Sequence, residues 1–203
     1  MKLSLRFLCL MSALALAGCG SAPPQYYTLI PVTSEQSVKN LPDAVDPYVL
    51  GEIVVPADVD KTSLVAKDRD GHVMVLEYDR WASPLEGQLQ SAVTKGLTQQ
   101  LGFPPLQNFN RALNDKRYSR VRLAIHSFDM FAGEFAEITA VWLVSFAGSD
   151  KTLSCFTQVR QNVNPGVSEL VVAQQQNVAK LSELIAAVLK TKAAPASVVC
   201  RSL

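Results

Sequence analysis

Beyond residue 18 the sequence has no apolar run near the ~20 residues that a membrane-spanning helix requires, so a multi-span protein is excluded. Charge is scarce and balanced, with 19 Lys+Arg against 18 Asp+Glu in 203 residues and a formal net charge of +1. Nucleic-acid binding needs a clustered basic surface, which this balance argues against. There are 2 histidines and 4 cysteines, and neither type occurs in a metal-ligand or CxxC redox spacing. Gly-x-Ser-x-Gly, Gly-x-Gly-x-x-Gly, P-loop and His-x-x-x-His patterns are all missing, and so is any internal repeat. Nothing therefore nominates an enzyme, a cofactor or a metal ion. The apolar fraction of 48% is that of a globular chain rather than a disordered one.

The most informative segment that is present is the N-terminus. Lys2 and Arg6 are followed by the apolar stretch Phe7–Leu16 and the small residues Ala17 and Gly18, the order of a secretory signal. Leu16-Ala17-Gly18-Cys19 resembles the bacterial lipobox, in which the signal is cut before a cysteine that receives a diacylglyceryl group. Removing Met1–Gly18 takes two basic groups and no acid, leaving 17 basic against 18 acidic. Two or more acyl chains, of the palmitate type, give stable anchoring at ~0.8 kcal/mol per buried methylene, whereas one is marginal. Residue 20 is Gly rather than Asp, which by resemblance to bacterial sorting rules favours the outer membrane, facing the periplasm. The expected organisation is a lipoprotein signal peptide at 1–18, the acylated Cys19 and a tether at 19–25, and one domain at 26–203.

Cys9 leaves with the signal and Cys19 is acylated, so Cys155 and Cys200 remain. In an oxidising compartment they suggest one disulfide, pinning the tail to the strand around Cys155. The alternative is a small buried hydrophobe at Cys155 and a free thiol at Cys200.

Along the mature chain, Tyr26–Ile30, Tyr48–Val55, Ser63–Lys67 and Val73–Tyr78 read as strands, the last two around the hairpin signal Asp70-Gly71. Ser83-Pro84-Leu85-Glu86 has the form of a capping box with Pro at the first helical position. Leu85, Leu89, Val93, Leu97 and Leu101 then make one apolar helical stripe, and Gly96 within it marks a close contact. Strands follow around Val121–Ile125, Phe135–Phe146 and Thr152–Arg160, then a helix from about Ser168 to Lys190 whose stripe is broken at Gln174. Ala194–Leu203 reads as a short tail. Val141 and Leu143 make both faces of the Phe135–Phe146 strand apolar, as in a central strand. The fold class is α+β: two layers, a mostly antiparallel sheet with two main amphipathic helices packed on it, whose far face or edges are free for partners.

His72 and His126 read as solvated residues, as do the acid pairs Asp58/Asp60 and Asp68/Asp70. Ser83 is assigned to capping rather than nucleophilic chemistry. Tyr26, Tyr27 and Trp81 are candidates for a partner surface, where Tyr and Trp are favoured. The competing reading splits the tyrosines between core and surface and packs Trp81 as a staple ahead of the first helix.

The lipobox, Tyr26-Tyr27-Thr28-Leu29, Ile53-Val54-Val55-Pro56, Trp81-Ala82-Ser83-Pro84-Leu85 and Ala140-Val141-Trp142-Leu143 form a distinctive set. Together they resemble the PqiC/YmbA family of ABC-type transport auxiliary lipoproteins, from the lipobox through the last helix. The chain departs from that family after Pro56, where Ala57-Asp58-Val59-Asp60 replaces the usual Tyr-Leu pair. The resemblance implies an outer-membrane lipoprotein that docks or receives an MCE-domain (PqiB-like) assembly carrying lipid between membranes. It also implies a homo-oligomeric ring, envelope integrity as the physiological role, and no nucleotide on this subunit. The alternatives are a periplasmic lipid carrier with its own cavity and an envelope hydrolase.

Overall fold

The structure is a computed structural model that describes residues 23–31, 45–106 and 117–203. Cys19, the signal peptide and the start of the tether lie outside the described residues. The elements run β1 (Gln25–Tyr27), β2 (Tyr48–Val54), β3 (Ser63–Lys67), β4 (Val73–Trp81), α1 (Leu85–Leu101), β5 (Ser119–Phe131), β6 (Phe135–Ser145), β7 (Thr152–Asn162), α2 (Val167–Thr191) and β8 (Val199–Ser202).

All eight strands form one sheet in the order β1-β4-β3-β5-β6-β7-β8, with β2 also on β5. The β3–β4, β5–β6, β6–β7 and β7–β8 ladders are antiparallel. The β1–β4, β2–β5 and β3–β5 junctions are parallel. The edge of β5 facing away from β6 is divided, with β2 along Ser119–Ala124 and β3 at Phe131. The class is α+β with a mostly antiparallel sheet, as the strand and helix patterns imply.

Both helices lie on one face. They pack on each other, α2 against β5, β6 and β7, and α1 against β2. The α1 stripe Leu85, Leu89, Val93, Leu97 and Leu101 is buried, as is the inward row Ala136, Ile138, Ala140, Trp142 and Val144 of β6. An alternating strand and a helix with four-residue spacing each bury one side, and the core is where those sides meet. The break at Gln174 is part of this contact. Its fully buried amide donates to Asp129 O at 2.9 Å and Glu137 O at 3.3 Å, and Asn177 Nδ2 donates to Ala136 O at 3.0 Å. A helical amide thus satisfies strand carbonyls inside the core, where an unpaired carbonyl would be costly.

Three local expectations are corrected. The first strand ends at Tyr27, not Ile30, because the chain leaves the sheet there. Leu29 is fully buried, its N–H donates to Gln88 Oε1 at 3.0 Å, and Thr28 O accepts from Gln175 Nε2 at 2.8 Å. Those glutamines, one from each helix, replace the ladder as hydrogen-bond partners. The second correction concerns the start of α1. Pro84 occupies the cap position without a side-chain cap bond, and the Glu86 N–H donates to Asp60 Oδ1 at 3.0 Å. Ser83 Oγ instead accepts from Gln88 Nε2 at 2.9 Å. Asp60 is thus a cap from a distant turn rather than a solvated acid. Finally, the tail contains β8, paired to β7 through Leu153↔Ser202 to Phe156↔Val199.

Candidate functional site

The helices cover one face of the sheet, and among the described residues no element packs on the other. Outward positions on that face form rows across the strands. One row is apolar over five strands: Val54 pairs with Ala124, Ala124 with Val141, Val141 with Phe156, and Phe156 with Val199. At ~4.8 Å per strand the row is about 19 Å long. Val54, Phe156 and Val199 are exposed, while Ala124 and Val141 are half-buried. A groove of about 290 Å³ lies at its β2–β5–β6 end, lined by Glu52, Val54, Arg122, Ala124, His126 and Leu143 among others.

Polar rows flank the apolar one. On one side lies Arg122–Leu143–Ser154–Arg201, with an arginine at each end. On the other lies Ser127–Thr139–Gln158, beyond a bulge in β5 between Ile125 and Ser127. Further along, Asp129, Glu137 and Arg160 are cross-strand neighbours, and Lys67 pairs with Asp129. Arg160 Nε contacts Glu137 Oε2 at 2.7 Å, and its guanidinium sits 3.7 Å from the Phe135 ring centroid. An apolar strip between polar margins is chemically able to bury against a protein partner.

Val141 and Leu143 read from sequence as the second buried face of a central strand. β6 is central between β5 and β7, but no helix among the described residues covers that second face, and both residues line the groove. The signal that could have revealed the row was the apolar outward residue at 54, 124, 141, 156 and 199. Only the ladder registers bring the five together.

Of the candidate partner-surface residues, Tyr26 is 64% exposed on β1. Tyr27 is half-buried, its hydroxyl 3.0 Å from Asp79 Oδ1 and 2.8 Å from Gln25 Oε1. Burial first, and then the Asp79 carboxylate, push its phenol above the usual range. Trp81 is corrected: it is 1% exposed and packs edge-on to Phe128 at 6.1 Å, so it belongs to the core and not to a partner surface. Cys155 and Cys200 are cross-strand neighbours joined by a disulfide of β7 to β8.

Asp68, Asp70 and His72 converge at the β3–β4 turn, their ligand-type atoms within 4.8 Å of one another. Asp68 Oδ1 accepts from the Asp70 and His72 amides at 3.0 and 2.9 Å, and Oδ2 lies 2.9 Å from His72 Nδ1. Those oxygens organise a turn in which Gly71 takes φ 85°.

Residues 27–186 match the family described as the ABC-type transport auxiliary lipoprotein component. A crystal structure titled only as an uncharacterized protein is similar at 20% identity and TM-score 0.65, covering 82% of this chain and 98% of that one. The crystal structure of a protein from Xanthomonas campestris is similar at 13% identity and TM-score 0.61, covering 81% and 95%. At these identities the likeness concerns the fold. No curated protein matches the chain.

Proposed function

Since the chain belongs to the ABC-type transport auxiliary lipoprotein family, we propose that it is an outer-membrane lipoprotein facing the periplasm that docks or receives an MCE-domain, PqiB-like lipid-transport assembly. The observation that carries the docking role is the sheet face opposite the two helices, with its apolar row from Val54 to Val199 between polar margins. Residue pattern supports the address. Cys19 ends a lipobox behind a complete signal, and its acyl chains hold the domain to the membrane. The corresponding organisation is a signal at 1–18, the anchor and tether at 19–25 and one domain at 26–203. Self-association into a ring belongs to the same reading, and no catalytic step is assigned to this subunit.

A photo-crosslinking residue at Phe156, on the open face, tests the proposal in intact cells against the same residue at Val172, an exposed position on α2. An MCE-domain protein captured from 156 and not from 172 supports it. Efficient crosslinking at 156 that yields no MCE-domain protein counts against it.

A further inference from the structure

We propose that the β3–β4 hairpin, with Tyr26 beside it, is a lipid-contact surface that rests on the membrane holding the acyl anchor. The inference builds on the anchoring of Cys19 argued above.

β4 is paired by β1 only over Asp79–Trp81, and no strand among the described residues pairs with that edge of Val73–Tyr78. The uncovered stretch is apolar. Val73 is 59%, Val75 47% and Tyr78 54% exposed, with Tyr26 at 64% on the neighbouring strand. Folded proteins usually blunt such an edge with lysine or proline, yet Glu77 is the single charge between Val73 and Tyr78. Tyrosines suit a place that is apolar at one end and wet at the other, as lipid headgroups provide. The charged turn at Asp68–His72 limits the contact to headgroup depth.

Chain direction decides the occupant. β1 runs parallel to β4 with Gln25 beside Asp79, so the chain enters β1 from the side on which Val73 and the turn lie. Five residues, 20–24, separate Cys19 from Gln25, and the six steps between them reach about 20 Å at full extension. Val73–Tyr78 spans six residues of strand, again about 20 Å. An acylated Cys19 therefore keeps Gln25 within about 20 Å of the lipid, and the exposed hairpin extends by about that distance toward the same side. Pro23 and Pro24 lack the amide hydrogens that would continue the β1 ladder, and the ladder on β4 begins only at Gln25.

The test uses the full-length lipoprotein in vesicles of phosphatidylethanolamine and phosphatidylglycerol, with and without brominated acyl chains. Intact mass first reports whether Cys19 carries its acyl groups; a protein without them overturns the anchor reading and this proposal with it. With acylation established, Tyr78→Trp and Phe156→Trp are compared with the parent, in which Trp81 and Trp142 are buried. The expected result is at least twofold stronger bromolipid quenching of the added emission at 78 than at 156. Equal quenching, or stronger quenching at 156, overturns the proposal. So does an unquenched residue 78, which would leave that edge to a protein strand.

Discussion

Gly96 of α1 lies against Ser182 of α2 so closely that a Cβ on Gly96 would stand 2.5 Å from Ser182 Oγ and 2.6 Å from Ser182 Cβ. Neither neighbour atom is the far end of a flexible chain. Ser182 is fully buried, and its hydroxyl donates to Val178 O at 2.9 Å. The helix crossing therefore needs glycine at 96, despite the roughly 1 kcal/mol that glycine costs inside a helix.

Gly96→Ala is accordingly expected to destabilise the fold by about 1–3 kcal/mol, the usual cost of overpacking, rather than to gain helix propensity. Ser182→Gly in the same chain removes the obstructing atoms. A double-mutant cycle by urea unfolding is expected to show favourable coupling of about 1 kcal/mol or more. Strictly additive effects would show that the two residues do not meet.

The Cys155–Cys200 bond closes a sequence separation of 45 residues and ties β8, a four-residue edge strand, to the sheet. Replacing both cysteines with alanine is expected to cost about 2–4 kcal/mol in chemical denaturation, largely through the freed unfolded chain. Hydrogen exchange is expected to accelerate first at Val199–Ser202. Unchanged stability and unchanged protection there would contradict this.

Asp68 holds its turn through the His72 ring and the His72 and Asp70 amides, and these bonds keep its carboxyl below the ordinary value of 3.8. A carboxyl lowered on folding contributes stability above the unfolded value, and that contribution is lost as pH falls through the folded value. NMR titration of Asp68 is therefore expected to give a midpoint below 3.8, with the His72 amide losing protection as the carboxyl protonates. A midpoint at or above 3.8 would refute the arrangement.

Phe156 is 45% exposed on the open face and pairs there with the cross-strand neighbours Val141 and Val199. Phe156→Glu is expected to cost about 1 kcal/mol of stability, the scale of a lost cross-strand pair, and to leave the fold intact. On the proposed docking role, it reduces capture of the transport partner from neighbouring crosslinking positions at least tenfold. A thermal melt read beside the capture separates loss of fold from loss of contact. Undiminished capture by the folded variant would remove the apolar row from the interface.

Much of the architecture is legible in residue order because it depends on neighbours within a turn or a strand. The Leu85–Leu101 stripe specifies one buried helical face, and Gly102, at φ 83°, ends that helix with its N–H bonded to Thr98 O. Asp70-Gly71 marks a reversal that only a local turn can make. Reading failed where a distant group replaced a local one. The Ser83 capping box is a sound local pattern, but Asp60, on another turn, reaches the Glu86 amide first. Tyr26–Ile30 has the composition of a strand, yet Gln88 and Gln175 draw Thr28 and Leu29 into the helical layer.

The lipobox, the periodicities and the hairpin signals are contiguous in the chain, so the sequence by itself determined the expected anchor, the fold class and the faces that each element buries. Which atoms separated by tens of residues become neighbours was decided by strand order and register. That is how Cys155 comes to face Cys200, how Trp81 becomes core against Phe128, and how five outward residues from 54 to 199 align in one row. The physical reason is that a strand's own pattern sets only the face to which a side chain points. Its position along the neighbouring strand follows from the cooperative fit of the whole sheet beneath the helices.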